Sequence, residues 1–590
     1  MSEIDPTTGG ESARAVPEER SNVVLLGRKE TENDGPSAKG GVPEPRSQEP
    51  AETEAIQHDG ATSHNETSAP EAAPSSLAPS RAAEIELKLL VDADRLAGFN
   101  DAPIIASNAR SKGTRKHLKA VYYDNAERTL LRNALTLRVR KSGARFMQTV
   151  KAEAADDPLR RGEWEASVPS FEPDLALAMP FLPEELRDEL ERSELEPVFT
   201  TDMRRHQRVV EMPSGTVEVA FDHGVLKSGD RSMPVSEIEL ELKSGSRSAI
   251  YDLALGLAEH GSVRPSIRSK SARGFDLAAD SPPAARRPRK LRLEPTTALD
   301  DAFAIILRGC FGHLLQSMPA AEDGRDPEGV HQLRVALRRL RSAFDLMRAV
   351  GPLNKLDALR AEAKWLAQNL SAARDWDIFQ GATLPTIAKA CPQVTGFDAL
   401  EEAAEKRRAA AYDKVRMVLT DRRASSFLIV LGGWIEARGW RDDFAPQGLA
   451  QLTEPAVNFA RRMLSEQYAK VLKRGRHLKS LDAGERHRLR LAVKKLRYVG
   501  EFLLPLYGQR KTTRRFSHRL AELQEELGCY NDMAVTASLL AGLGAESARN
   551  GAAAAIAGWQ AHAMVNVEPR LRDTWSEFAG IKLPWREAEA

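Results

Sequence analysis

Long apolar runs are missing from this chain. No stretch approaches the ~20 apolar residues that cross a bilayer; the nearest, Phe427 to Ile435, reads as a core helix. The N-terminus is acidic, and its one apolar run, Val23 to Leu26, is too short for a secretory leader. Cysteine is scarce too. Cys310, Cys391 and Cys529 are odd in number, far apart and without metal-ligand spacing. That excludes a disulfide framework or a zinc site and fits buried thiols in a reducing compartment. The expectation is a cytoplasmic protein. Aromatics make up 6% of the residues and are absent from the first 80. Those 80 residues hold 15 acidic and 6 basic side chains amid abundant Pro, Gly, Ser and Thr. Such a segment cannot bury enough apolar surface to offset chain entropy, so residues 1–80 are expected to be a disordered acidic tail. The net charge of +1 therefore conceals a segregation, with −9 in the tail and +10 in the remainder. At 590 residues the chain is also too long for a single core.

What is present first is a period of two. From Glu84 to about Leu242, charged and apolar residues alternate in Glu84–Leu89, Leu135–Arg140, Thr216–Phe221 and Glu237–Leu242. Turn signals at Ser142-Gly143, Pro213-Ser214-Gly215 and Ser228-Gly229-Asp230 separate the runs, and short helical patterns interrupt at 183–195 and 249–259. This predicts an antiparallel β barrel or sandwich over residues 81–280. Any one such strand reads equally well as an ordinary strand with a solvated face. Four strands with the same habit, acids on some and arginines on others, point instead to a charged, water-filled lumen.

The chemistry of that face follows from strand geometry. Glu84, Glu86 and Lys88 lie at i, i+2 and i+4, as do Glu237, Glu239 and Glu241. Two facing carboxylate strands repel unless a cation lies between them, and hard oxygen donors suit Mg²⁺ or Mn²⁺. Arg138 and Arg140 share another strand face, with Lys151, Arg205, Lys270 and Arg273 as candidates to join them. Guanidinium groups bind phosphate oxygens bidentately, so such a ring suits a phosphate ligand.

A Pro- and Arg-rich linker occupies residues 281–296, and from Thr297 the period becomes helical with no convincing strand. This second part, 297–580, contains an internal repeat. Residues 331–341 (HQLRVALRRLR) and 487–497 (HRLRLAVKKLR) are identical at six of eleven positions, 156 residues apart. Leu370-Ser-Ala-Ala-Arg-Asp375 is echoed by Leu527-Gly-Cys-Tyr-Asn-Asp532. Two related helical halves are expected. On a helix, His331, Arg334, Arg338 and Arg341 fall within about 80° of arc beside an apolar stripe of Leu333, Leu337, Leu340 and Phe344. His487, Arg490, Lys494 and Arg497 repeat the rail beside Leu489, Val493 and Leu496. An ordinary solvated face would mix signs. Neither eleven-residue segment contains an acid, and a basic rail present twice implies a polyanion ligand.

Glu84-Ile-Glu-Leu-Lys88, Tyr122-Tyr-Asp124, Leu137-Arg-Val-Arg140, Thr149-Val-Lys151, Glu237-Ile-Glu-Leu-Glu241 and Ser269-Lys-Ser-Ala-Arg-Gly274 together resemble, in order, a CYTH domain of the triphosphate tunnel metalloenzyme family. The resemblance implies an eight-stranded antiparallel barrel around a charged tunnel, and a metal-dependent hydrolysis of triphosphate. It implies a metal site of Glu84, Glu86, Glu239 and Glu241, with Asp222 a further candidate. Lys88, Arg138, Arg140, Lys151, Arg205, Lys270 and Arg273 would hold the triphosphate. Glu163 and Glu165 match a weaker acidic strand whose role, metal binding or water orientation, the resemblance leaves open. One departure stands out: the family has Gly shortly before its Leu-Arg-x-Arg strand, where this chain has Asn133-Ala134. The helical part resembles a CHAD domain, which implies polyphosphate binding by the two histidine-headed rails, with Asp375 and Asp532 orienting arginines.

These readings combine into an inorganic triphosphatase with an appended polyphosphate-binding domain, acting on tripolyphosphate to give pyrophosphate and phosphate. A non-catalytic polyphosphate scaffold is the first alternative, and an adenylate cyclase or thiamine triphosphatase working in the same barrel is another. Nucleic acid is disfavoured as a partner, because aromatics placed for base stacking are few.

Overall fold

A computed structural model describes residues 84–153, 160–508, 510–544 and 551–586. The expected tail, 1–80, lies outside them. Alternation becomes strand wherever the sequence repeats it: β1 (Glu84–Leu90), β2 (Thr114–Asp124), β3 (Leu135–Ser142), β4 (Arg145–Glu153) and β5 (Arg160–Val168), then the long β6 (Glu196–Met212), β7 (Gly215–Ser228) and β8 (Arg231–Gly245), and finally a short β9 (Arg264–Ser266). All pairings are antiparallel, in the order β5-β4-β3-β2-β6-β7-β8-β1-β9. β1 closes the ring. One of its edges takes β8, while the other is divided, pairing β5 at Glu84 and Ile85 and β9 from Lys88 to Leu90. Eight strands thus form a tunnel, with β9 added outside the closure. The β7–β8 hairpin turns at Gly229, whose φ of 54° is one that glycine adopts without steric cost.

The wall is inverted relative to an ordinary barrel. Outward-facing Leu87, Leu89, Val217, Val219, Ile238 and Leu240 are fully buried, because helix α1 (Ser248–His260) covers that side with Ile250, Leu253, Ala254 and Leu257. Inward-facing positions carry the charge. Helix α2 (Lys270–Ala279), N-capped by Ser269, packs against β6, β7 and β8 and brings its first turn to the lumen.

The departure noted before β3 has a structural cost. Ala134 holds φ at 57°, the left-handed region that a Cβ disfavours by about 1–2 kcal/mol. Ala134→Gly is therefore expected to raise stability by about 1 kcal/mol, a net gain after glycine's greater unfolded-state entropy. Urea unfolding of the two proteins checks this.

The second part is helical throughout, and its elements repeat. Helices α3 (Leu299–Asp323), α4 (Pro327–Met347), α5 (Asn354–Asn369), α6 (Ser371–Ile378) and α7 (Phe397–Thr420) correspond to α9 (Ala456–Gly475), α10 (Ala483–Leu503), α11 (Lys511–Glu526), α12 (Cys529–Gly542) and α13 (Gly551–Ala579). Helix α8 (Arg422–Glu436), which contains the apolar run 427–435, stands between the halves and packs on α1 of the tunnel domain. Gly432 permits that approach: a Cβ there would lie 2.1 Å from a ring carbon of Tyr251. Glu436 of α8 accepts hydrogen bonds from Arg308 on α3, at 2.6 to 3.1 Å, and Arg264 of β9 reaches Glu322 at 2.8 Å. Tunnel wall and helical domain consequently share one continuous apolar core. No helix among the described residues is long and apolar enough to cross a membrane, and all three cysteines are free thiols.

Candidate functional site

Every lumen residue expected from the sequence faces the tunnel interior, and nearly all are ion-paired. On β1, Lys88 is 3% exposed; it contacts Glu86 and donates to Glu239 of β8 at 2.7 Å. Arg205 on β6 makes a fork on Asp222, at 2.7 and 2.6 Å, and also contacts Glu239. From α2, Lys270 Nζ lies 2.6 Å from Asp222, 2.5 Å from Glu237 and 2.8 Å from Glu239, while Arg273 contacts Glu237. Across the lumen, Lys151 bridges Glu84 (3.0 Å) and Glu163 (3.2 Å), and Arg138 and Arg140 reach Glu163 and Glu165, each at 3.3 Å. Eight carboxylates and seven cations therefore line one cavity, close to charge balance. Lys270 and Arg273 reach it from a helix rather than a strand, a placement the period-two reading did not contain.

The electrostatics show which groups are satisfied. Asp222 and Glu239 are held below the usual carboxylate range: burial opposes ionisation, but Lys270, with Arg205 and for Glu239 also Lys88, outweighs it. Glu84 is shifted the other way, by burial and by its hydrogen bond to Glu163, and Glu241 is raised by burial with Glu84 adding to it. Glu86 stands opposite Glu241 in the β1–β8 register, so this seam collects like charge. Arg140 is pulled down to about 10 by the charge of Arg138 and by burial, and remains cationic at neutral pH. Arg138 is raised because Tyr122 and Glu163 outweigh burial, yet its Nε has no hydrogen-bond partner.

Two lumen residues were given no individual role from the sequence. Glu237 is fully buried, and with Asp222 and Glu239 it forms the one group among the described residues whose carboxylate oxygens lie within 4.8 Å of one another. The expected metal set of Glu84, Glu86, Asp222, Glu239 and Glu241 shares two members with that group. The structure divides the expected five: Asp222 and Glu239 sit on Lys270 and Arg205, Glu84 on Lys151, Glu86 on Lys88, and Glu241 on Lys243 at 2.6 Å. Glu237 was legible as the third member of its alternating run. Tyr122 is the other residue, stacked on Phe199 with centroids 4.3 Å apart and its hydroxyl lowered towards ionisation because Arg138 outweighs burial.

In the helical domain the two rails converge. Arg338 of α4 lies over the ring of Tyr498 of α10 at 5.4 Å, and Lys494 is pulled down to about 8 by burial, Arg490, Arg338 and Arg497, with Asp532 opposing. Arg334 donates to Ser371 Oγ at 2.6 Å and to the Ala367 carbonyl at 3.2 Å. His331 is half-buried and lowered by burial and then Arg374, whereas its counterpart His487 is exposed. Arg341 and Arg490 each keep a buried Nε without a partner. Asp375, raised by burial, faces Arg334, Arg374 and Asp532; the side chain of Asn531 lies outside the described residues. Tyr498 was not foreseen, since the first copy has Ser342 in its place.

A closed antiparallel tunnel lined by interleaved acids and bases, joined to a duplicated helical domain with a shared basic centre, defines the class of this protein. Residues 82–275 are a CYTH domain and residues 305–541 a CHAD domain. The inorganic triphosphatase of Haemophilus influenzae is 30% identical over 200 residues, which is 33% of this chain and 54% of that protein. The chain thus spans about half the length of that curated relative. The CHAD domain from the plant Ricinus communis is 32% identical, covering 51% of this chain and 99% of its own, with a TM-score of 0.44. The PH1819 protein of Pyrococcus horikoshii OT3 is 20% identical and covers 32% of this chain and 94% of its own, at a TM-score of 0.22.

Proposed function

We propose that the tunnel hydrolyses inorganic triphosphate with a divalent metal and that the helical domain binds polyphosphate. The observation that carries this is the charge balance of the lumen. Its cations are already matched by carboxylates, so a phosphate chain that captured them would leave those carboxylates uncompensated unless further cations entered with it. Anion binding and metal binding are thereby linked. The β1–β8 seam of Glu84, Glu86, Glu239 and Glu241 fits a hard cation: its oxygen donors are all carboxylates, two of them shared with Lys88, and the other two are raised in pKa. Bound there, Mg²⁺ or Mn²⁺ would neutralise phosphate charge and polarise the terminal phosphoryl group. Arg138, Arg140, Lys151, Arg205, Lys270 and Arg273 would hold the phosphate oxygens, released in exchange from their carboxylate partners. Glu163 and Glu165 would hold Arg138 and Arg140 until the phosphate chain takes their place. Water would attack the terminal phosphorus in line as pyrophosphate leaves, its proton passing to one of the lumen carboxylates. The likeness to an inorganic triphosphatase over 200 residues supports this substrate.

The test is phosphate release from tripolyphosphate, ATP and thiamine triphosphate, with Mg²⁺, Mn²⁺ or EDTA. Metal-dependent turnover fastest with tripolyphosphate is expected. Faster turnover of an organic triphosphate would redirect the reading to the other barrel chemistries, and no turnover beside tight polyphosphate binding would leave a scaffold.

The helical centre makes a pH-dependent prediction. A polyanion would restore the proton that Lys494 loses near pH 8, so binding takes up a proton above that pH. Polyphosphate affinity is expected to fall about tenfold between pH 7 and pH 9, and Lys494→Arg to flatten the fall, as titration at both pH values would measure.

A further inference from the structure

Between the two domains runs a basic strap that neither site uses. Five of the seven residues 286–292 are Arg or Lys, and no acid lies from Ser281 to Leu293. A flexible linker would leave such charges diffuse, but this one is pinned. The Arg286 carbonyl lies 3.0 Å from His313 Nε2 of α3, Leu293 is 5% exposed, and Leu291 packs beside Gly309 of α3. Pro282, Pro283 and Pro288 favour extended backbone, about 3 Å per residue, so the seven residues span roughly 20 Å. Arg287, Lys290 and Arg292 are exposed and make no ion pair among the described residues. The strap starts where α2 ends, the helix whose first turn supplies Lys270 and Arg273 to the lumen, and it leads into α3, which packs along the rail helix α4.

We propose that this strap is a third polyanion contact, a fixed cationic track that engages linear polyphosphate too long to be held by either domain alone. A single-sign, extended and pre-ordered row of charges matches a ligand with one charge on every phosphate, and its ordering entropy is spent in folding rather than in binding. The proposal rests on the polyphosphate reading of the helical domain.

The experiment uses the full chain with Arg287→Gln/Lys290→Gln/Arg292→Gln. Affinities for long-chain polyphosphate, tripolyphosphate and duplex DNA are measured over a range of salt, alongside tripolyphosphate turnover. The expected result is a loss of about tenfold or more for the long chain at low salt, a log–log salt slope shallower by about 2, and unchanged tripolyphosphate turnover. An unchanged slope and affinity for the long chain would overturn the strap while leaving the rails intact. Duplex DNA binding the unsubstituted chain as tightly as polyphosphate, and losing as much in the variant, would overturn it in favour of a nucleic-acid contact. Failure of the unsubstituted chain to bind long polyphosphate would instead remove the underlying reading, so the two failures are separable.

Discussion

Glu84→Gln/Glu86→Gln is expected to keep the fold and to lose at least about 10³-fold in tripolyphosphate turnover, whichever divalent metal is supplied. Removing one preorganised group from a transition-state site costs about 10²–10³ in rate, and this variant removes two charges from the seam that is to hold the metal. The fold should persist, because neither residue is a lone partner of a deeply buried cation. Lys88 keeps Glu239, and Lys151 keeps Glu163. Tripolyphosphate should still bind, since the cations opposite are freed rather than removed. Calorimetric binding beside phosphate release therefore separates the roles. Loss of binding in parallel with turnover would mean that these glutamates only position the lysines, and undiminished turnover would place the metal on the Asp222–Glu237–Glu239 group instead.

How much of this was legible follows from what alternation can encode. A strand repeats on every second residue, so Glu84, Glu86 and Lys88, or Arg138 and Arg140, declared a common face before any contact was known. The expected and observed elements agree there to within a few residues, apart from the long β6, β7 and β8, whose ends are carried by hairpin pairing rather than by pattern. Alternation says nothing about what lies across the lumen. Lys270 and Arg273 belong to a helix and meet Asp222 and Glu237 only because α2 packs against β6 to β8, so the carboxylate group they hold was not assembled in advance. The split edge of β1 is equally tertiary. The helical repeat was visible because 156 residues separate two nearly identical rails, but their convergence was not. Arg338 meets Tyr498 through the packing of α4 on α10, and the second copy alone carries the tyrosine.

The lysine at the centre of the tunnel should also be its most sensitive position for stability. Lys270→Met retains much of the side-chain length and leaves Asp222 and Glu237, both fully buried, and Glu239 without their shared cation. Breaking a buried ion pair from one side costs about 3–5 kcal/mol, and because Arg205, Arg273 and Lys88 still contact these carboxylates the loss is expected near the lower figure. The pH dependence gives the sign. In the unsubstituted protein Asp222 and Glu239 are depressed, so their contribution is present above the ordinary carboxylate range and is lost as pH falls through the depressed values. In the variant the largest of the opposing charges is gone and these pKa values rise. The deficit should then be largest at pH 7–8 and shrink as acid protonates the group. Urea unfolding of both proteins at pH 5 and pH 8 measures the difference. A deficit that does not change with pH would mean lost packing rather than exposed charge. Because the three carboxylates lie within 4.8 Å of one another, Mn²⁺ should restore part of the lost stability in the variant and none in a Lys270→Met/Glu237→Gln/Glu239→Gln protein, where the oxygens no longer carry the charge to hold it.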